Sequence, residues 1–180
     1  LGFRDSGTPG NEAGIAVAQD GTIIWTENGG RTWATASVAG AAQPFEAVDY
    51  AGGDTWYAVG GNRVIRSTDN GRTWASVSIP LLSGRRFARL AAVEFISETE
   101  GVVGDAGMND GTGRIYATRD GQTWTETAAY TNHRDIAYNG RDLWTIVGDQ
   151  GIWVQDDLLV PGPKRRVLPA NGARFWNVDF

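Results

Sequence analysis

Hydrophobic and polar residues alternate along this chain in short runs, and no stretch carries them at helical spacing. Trp74-Ala-Ser-Val-Ser-Ile79 shows the two-residue period of a half-buried strand. A more apolar run recurs as Phe45–Tyr50, Leu90–Phe95, Arg134–Tyr138 and Phe175–Phe180. Its aligned positions are Val48, Val93, Ile136 and Val178, which sets a period of 42 to 45 residues. A second strand ends each time on a small turn residue: Val17-Ala18, Val59-Gly60, Val103-Gly104 and Val147-Gly148. A third leads into a polar turn with Asn28, Asp69, Asp120 and Asp157 in register.

Each unit therefore reads as four short antiparallel strands, and repetition of such a unit every ~40–50 residues is the pattern of a β-propeller blade. The expected fold is all-β, a propeller of about four blades within one domain, 1–180. The units run roughly over 1–40, 41–80, 85–130 and 133–168, with 173–180 as the inner strand of a closing blade. The first unit lacks an evident inner strand, and 173–180 would supply it, leaving Leu1–Gly14 as an extended connection. A self-closed ring, an arc of a larger ring and a ring completed by oligomerisation all fit this repeat. Stacked sandwiches also use short strands, but they do not repeat one motif in fixed register.

Composition agrees with this reading. Twenty-five glycines and eight tryptophans among 180 residues suit tight turns between aromatic-rich strands. No apolar run approaches the ~18 residues of a membrane-spanning helix. Cysteine is absent, which removes disulfides and thiolate metal sites and leaves the compartment open. The net charge of −5 argues against a dedicated nucleic-acid binder.

The polar turn is the sharpest motif. Ser67-Thr-Asp-Asn-Gly-Arg-Thr-Trp74 recurs as Thr26-Glu-Asn-Gly-Gly-Arg-Thr-Trp33 and, one residue shorter, as Thr118-Arg-Asp-Gly-Gln-Thr-Trp124. A fourth copy keeps Gln155-Asp-Asp157 but loses the Gly-x-Thr-Trp ending. The expected roles are structural. The side chains of Asn28, Asp69 and Asp120 should accept turn N–H groups, with Thr26, Ser67, Thr118, Thr32, Thr73 and Thr123 adding local bonds. Gly30, Gly71 and Gly121 should admit positive φ, and Trp33, Trp74 and Trp124 should close the hairpin. One carboxylate and one hydroxyl per turn fall short of calcium's six to eight oxygens.

Ser-x-Asp-x-Gly-x-Thr-Trp is identified as the Asp-box, or bacterial neuraminidase repeat. The wider unit, with Val-Gly before the third strand, resembles blades of the photosystem II assembly and stability factor family. It is also similar to blades of xyloglucanase-type glycosidases. The resemblance covers nearly the whole chain and implies a propeller. It does not choose an activity, because enzymes, binders and assembly factors share these blades.

Sialidases of this class require three arginines, a tyrosine–glutamate pair and an acidic proton donor, and xyloglucanases require two opposed carboxylates. Phe3-Arg4-Asp5-Ser6 is the nearest approach to the sialidase opening, and it lacks the Ile-Pro. Asp156 and Asp157 are adjacent and would point to opposite faces of a strand. His133 is the only histidine, so paired-histidine metal sites and two-imidazole proton relays are excluded. Gly104–Gly113 is glycine-rich but opens no helix, against a phosphate cradle. No catalytic residue, metal or cofactor is expected.

One distribution remains. Connections leading to inner strands carry Arg85, Arg86, Arg89, His133, Arg134, Lys164, Arg165 and Arg166, a basic patch at one mouth of the ring. Asp20, Asp105, Asp110 and Asp149, on turns of that rim, are the alternative partners for these cations. The leading expectation is a non-enzymatic propeller that scaffolds or assembles macromolecules by holding another protein against one face. A glycan-active or glycan-binding domain is the alternative, and a virion or cell-surface adhesin the third.

Overall fold

Each repeat folds as a meander. In the computed structural model, which describes residues 1–4, 10–40, 42–79, 89–107, 113–130, 133–141, 143–149, 151–157, 165–169 and 178, four sheets are present and the described residues form no helix. The first sheet orders β1 (Gly2–Arg4), β2 (Ala13–Val17), β3 (Ile23–Thr26) and β4 (Ala34–Thr35). The chain then crosses, and β5 (Ser37–Val38) lies parallel on the outer strand of the second sheet. That sheet holds β6 (Ala47–Gly52), β7 (Thr55–Gly60), β8 (Arg63–Ser67) and β9 (Thr73–Val77), in the order β5-β9-β8-β7-β6.

The third sheet runs β10 (Leu90–Phe95), β11 (Gly101–Asp105), β12 (Gly113–Thr118) and β13 (Trp124–Tyr130). The fourth runs β14 (His133–Tyr138), β15 (Trp144–Gly148), β16 (Gly151–Gln155) and β17 (Arg165–Pro169). Within the meanders every pairing is antiparallel, in β-propeller fashion.

The packing explains the sequence pattern. All six residues of β7 are buried, because the strand is covered on both faces. Trp56 and Ala58 pack toward the first sheet with Ile15, Ile23, Phe45 and Trp74, whereas Tyr57 and Val59 pack toward the third with Phe95, Val103 and Trp124. A strand sandwiched between neighbouring blades must be apolar at consecutive positions, so its alternation vanishes. The third and fourth sheets repeat this arrangement through Val102, Ile115, Ile136, Trp144 and Trp153. The core is thus a series of inter-sheet joints rather than one centre.

One difference from the sequence reading stands out. The first sheet already contains an inner strand: Phe3 pairs with Gly14 as Phe95 pairs with Gly101. Of the closing strand expected at 173–180, only Val178 is among the described residues, and its N–H donates to Asp135 on β14 at 2.9 Å.

Candidate functional site

The Asp-box turns join the third strand of each of the first three sheets to its fourth. In the second sheet Asp69 Oδ1 accepts the Thr73 N–H at 2.9 Å and the Ser67 hydroxyl at 2.8 Å, while Oδ2 accepts the Thr73 hydroxyl at 2.6 Å. Ser67 Oγ in turn accepts the Gly71 N–H at 2.9 Å, and the Trp74 indole N–H donates to the Gly71 carbonyl at 2.9 Å. Gly71 takes φ +81°, and a Cβ there would sit 2.0 Å from Ile15 Cδ1 of the first sheet. Glycine is required both for the turn and for the joint. Burial alone would raise the Asp69 carboxyl, but the bonds from Thr73 and Ser67 together hold it below its ordinary value.

The other copies adapt the same scheme. In the first, Asn28 Oδ1 accepts from Thr32 N–H and the Thr26 hydroxyl, both at 2.9 Å. Its Nδ2 donates to Thr32 Oγ1 at 2.7 Å, so the threonine hydroxyl accepts where Thr73 donates. Gly30 N–H bonds Thr26 Oγ1, and Trp33 donates to the Gly30 carbonyl at 3.0 Å.

In the shortened copy Asp120 Oδ1 accepts from Gln122 N–H and Thr123 N–H at 2.8 and 2.6 Å, and Gly121 N–H bonds Thr118 Oγ1. The main-chain bonds of Thr123 and Gln122 bring the Asp120 carboxyl down to about 2. The missing residue has a visible cost: among the described residues the buried Trp124 indole nitrogen lacks the carbonyl partner that Trp33 and Trp74 find.

The acids of these turns are committed to the backbone. Arginines link adjacent turns instead. Arg72 reaches Glu27 of the first box and lies over Trp25, its guanidinium carbon 4.7 Å from the ring centroid. Arg119 bridges Glu100 at 2.7 Å and Asp157, in the eroded fourth box, at 3.2 Å.

Of the basic residues expected at the mouth of the ring, the structure describes the side chains of Arg89, Arg134, Arg165 and Arg166. Arg89, just ahead of β10, makes a two-pronged bond to Glu46, both oxygens lying 3.0 Å from Nη2. Arg134 on β14 pairs with Asp149 at 3.2 Å. Asp149 is one of the rim acids expected as alternative partners, whereas Glu46 is not. Arg165 and Arg166 sit on β17, the outer strand, far along the sheet from the inner strands; both are exposed, and Arg166 lies 5.6 Å from the Trp153 ring centroid. Arg85, Arg86 and Lys164 lie outside the described residues, and His133 opens β14 with its side chain outside them.

Between the inner strands lies a polar cavity of about 320 Å3, lined among others by Glu46, Asp49, Glu94, Arg134 and Asp135. Sequence reasoning missed these inner-strand carboxylates, which sat within runs read as apolar. Among the described residues no cluster of His, Cys, Asp and Glu is arranged to hold a metal. Trp56, Trp144 and Trp153 are buried in the core and present no ring for sugar stacking. Trp176 lies outside the described residues.

Sheets packed face to face and tied by these turns define the class, an Asp-box β-propeller. The chain belongs to the Photosynthesis system II assembly factor YCF48 family, whose sequence model matches residues 5–141. YCF48 from Cyanidioschyzon merolae is similar at 18% identity and TM-score 0.67, over 91% of this chain and 54% of that one. YCF48 bound to D1 peptide is similar at 17% identity and TM-score 0.61, over 80% of this chain and 47% of that one. An ancestral GH74 enzyme is similar at 12% identity and TM-score 0.68, over 95% of this chain and 24% of its own length. The chain therefore spans about half the length of the YCF48 structures and a quarter of the GH74 enzyme. No curated protein matches it.

Proposed function

We propose that the protein is a non-enzymatic assembly scaffold that holds another protein against one face of the propeller. The family match supports this reading, as does the peptide bound to one YCF48 relative, which extends to this chain as a binding class and not as an identity. The observation that carries it is the use of the carboxylates. Asp69 and Asp120 accept their own turn's N–H groups, Asp49 and Glu94 accept those of a neighbouring inner strand, and Asp135 accepts that of Val178. Acids so engaged hold blades together and are poor candidates for the opposed acid and base of a glycosidase. Affinity capture with cross-linking should recover a protein partner, and fluorogenic glycosides should remain intact. Turnover of a glycoside by the pure protein, with no partner captured, would overturn the reading.

A further inference from the structure

We propose that the groove between the second and third sheets binds an extended acidic peptide, with Arg66 receiving its carboxylate. This rests on the protein-binding reading above and gives it a site. The groove encloses about 410 Å3 and lies between β8–β9 and the third Asp-box turn, where Arg66, Thr68, Ser76, Ser78, Gly121 and Gln122 line it.

Arg66 differs from the arginines that brace the sheets. Arg4, Arg72, Arg89, Arg114, Arg119 and Arg134 each reach a carboxylate within the chain. Arg66 is half-buried on β8, and its Nε is buried with no hydrogen-bond acceptor among the described residues. Its contact is the Tyr57 ring, 5.7 Å from the guanidinium carbon. That ring is itself fixed, stacked on Phe95 at 3.7 Å, with its hydroxyl donating to the Glu98 carbonyl. A guanidinium held on an aromatic face, with no acid paired to it among the described residues, is prepared for a planar anion from outside. Thr68, Ser78 and Gln122 line the same space.

The neighbouring backbone selects a peptide over a sugar carboxylate. Among the described residues β5 covers only Thr73 and Trp74 of β9, and Ala75–Val77 have no further strand partner beside the groove. An extended chain could add to this edge through main-chain bonds while an acidic side chain reaches Arg66.

The test is an NMR titration of the isotope-labelled 180-residue chain, following backbone amides and the Arg66 Nε–H signal, which Arg66→Lys removes and so assigns. The probes are acetyl-Ser-Glu-Asp-Glu-Ser-amide, its Gln/Asn counterpart and glucuronate. The acidic peptide should shift Arg66 Nε–H and the amides of Ser76 to Ser78, and the neutral peptide should not. Arg66→Gln should weaken binding by about tenfold or more, as loss of a charge-assisted bond implies. Gln122→Glu, which places a like charge on the rim without touching Arg66, should weaken it too. Shifts confined to Arg165 and Arg166 would overturn the groove but leave the protein-binding reading standing. Glucuronate shifting Arg66 as strongly as the peptide would overturn the peptide assignment. Unchanged affinity in both variants, or no shift at all, would overturn the proposal.

Discussion

Asp49 on β6 reaches across to the next inner strand, where its Oδ2 accepts the Phe95 N–H of β10 at 2.6 Å. Glu94 on β10 does the same to the Tyr138 N–H of β14 at 3.2 Å, and Asp135 to the Val178 N–H at 2.9 Å. Asp49, Glu94 and Ala137 share one register, each pairing with the second-strand residues Tyr57, Val102 and Thr145. Where alanine takes that position, the acid moves two residues back on the same face and engages a different backbone group. The repeat is therefore joined at its centre by carboxylate-to-amide bonds as well as at its rim by boxes. Asp49→Ala should destabilise the chain by about 1.5–3 kcal/mol, the range for a hydrogen bond to a charged group. Asp49→Asn, which keeps an oxygen in place, should cost a fraction of that. Denaturant midpoints at fixed slope decide between them.

The boxes make a comparable prediction with an internal control. Asn28 already shows that an amide satisfies the turn. Asp69→Asn should therefore be mild, whereas Asp69→Ala should cost about 0.5–2 kcal/mol, as other lost side-chain caps do.

Acid should weaken these turns in a defined window. The folded-state carboxyl of Asp120 lies at about 2 against an ordinary 3.8, and Asp69 is lowered as well. A depressed carboxyl contributes stability that is full above its unfolded value and disappears as pH falls through the folded one. The loss from Asp120 should thus fall between pH 3.8 and about 2. Urea unfolding of Asp120→Asn across that range should show a shallower decline than the parent chain. An identical decline would remove Asp120 as a source of acid sensitivity.

The aromatic corners of the first and third sheets are geometrically alike and differ in what covers them. Phe95 meets Trp124 edge-on at 6.3 Å and 75°, and Phe3 meets Trp33 at 6.2 Å and 73°. Each phenyl ring fills the space over a glycine, Gly101 or Gly14. Tyr57 of the preceding sheet then stacks on Phe95, leaving it 6% exposed, while Phe3 remains 47% exposed. Phe95→Ala should cost about 3–5 kcal/mol, as buried aromatic truncations do. Phe3→Ala should cost well under half as much, and acrylamide should quench Trp33 more readily than Trp74. Equal costs for the two phenylalanines would mean that another surface covers Phe3 in solution.

The same pair shows what was legible in the sequence and what was not. Leu90–Phe95 is the inner strand the repeat pointed to, and the boxes occupy the expected turns, because strong periodicity and turn chemistry are local signals. Gly2–Arg4 escaped notice since three residues with one aromatic carry no period, although Phe3 holds the place of Tyr50, Phe95 and Tyr138 before each second strand. The β5 crossover is two residues long and leaves no pattern. The pairing of Arg89 with Glu46 depends on two blades meeting, which no single segment records.

That pairing separates the cations by role. Arg89→Glu should break a two-pronged, partly buried bond and set two carboxylates together, lowering stability by at least about 1 kcal/mol, the upper end for exposed pairs. Arg165 and Arg166 are exposed on an outer strand, so Arg165→Glu should leave the unfolding midpoint nearly unchanged. If an acidic partner docks there, the Arg165→Glu change should slow association strongly at low ionic strength and little at high salt, because exposed charges are screened beyond a Debye length. Association rates for the captured partner at two salt concentrations, set beside the unfolding midpoints, distinguish a rim that binds from a rim that only braces the fold.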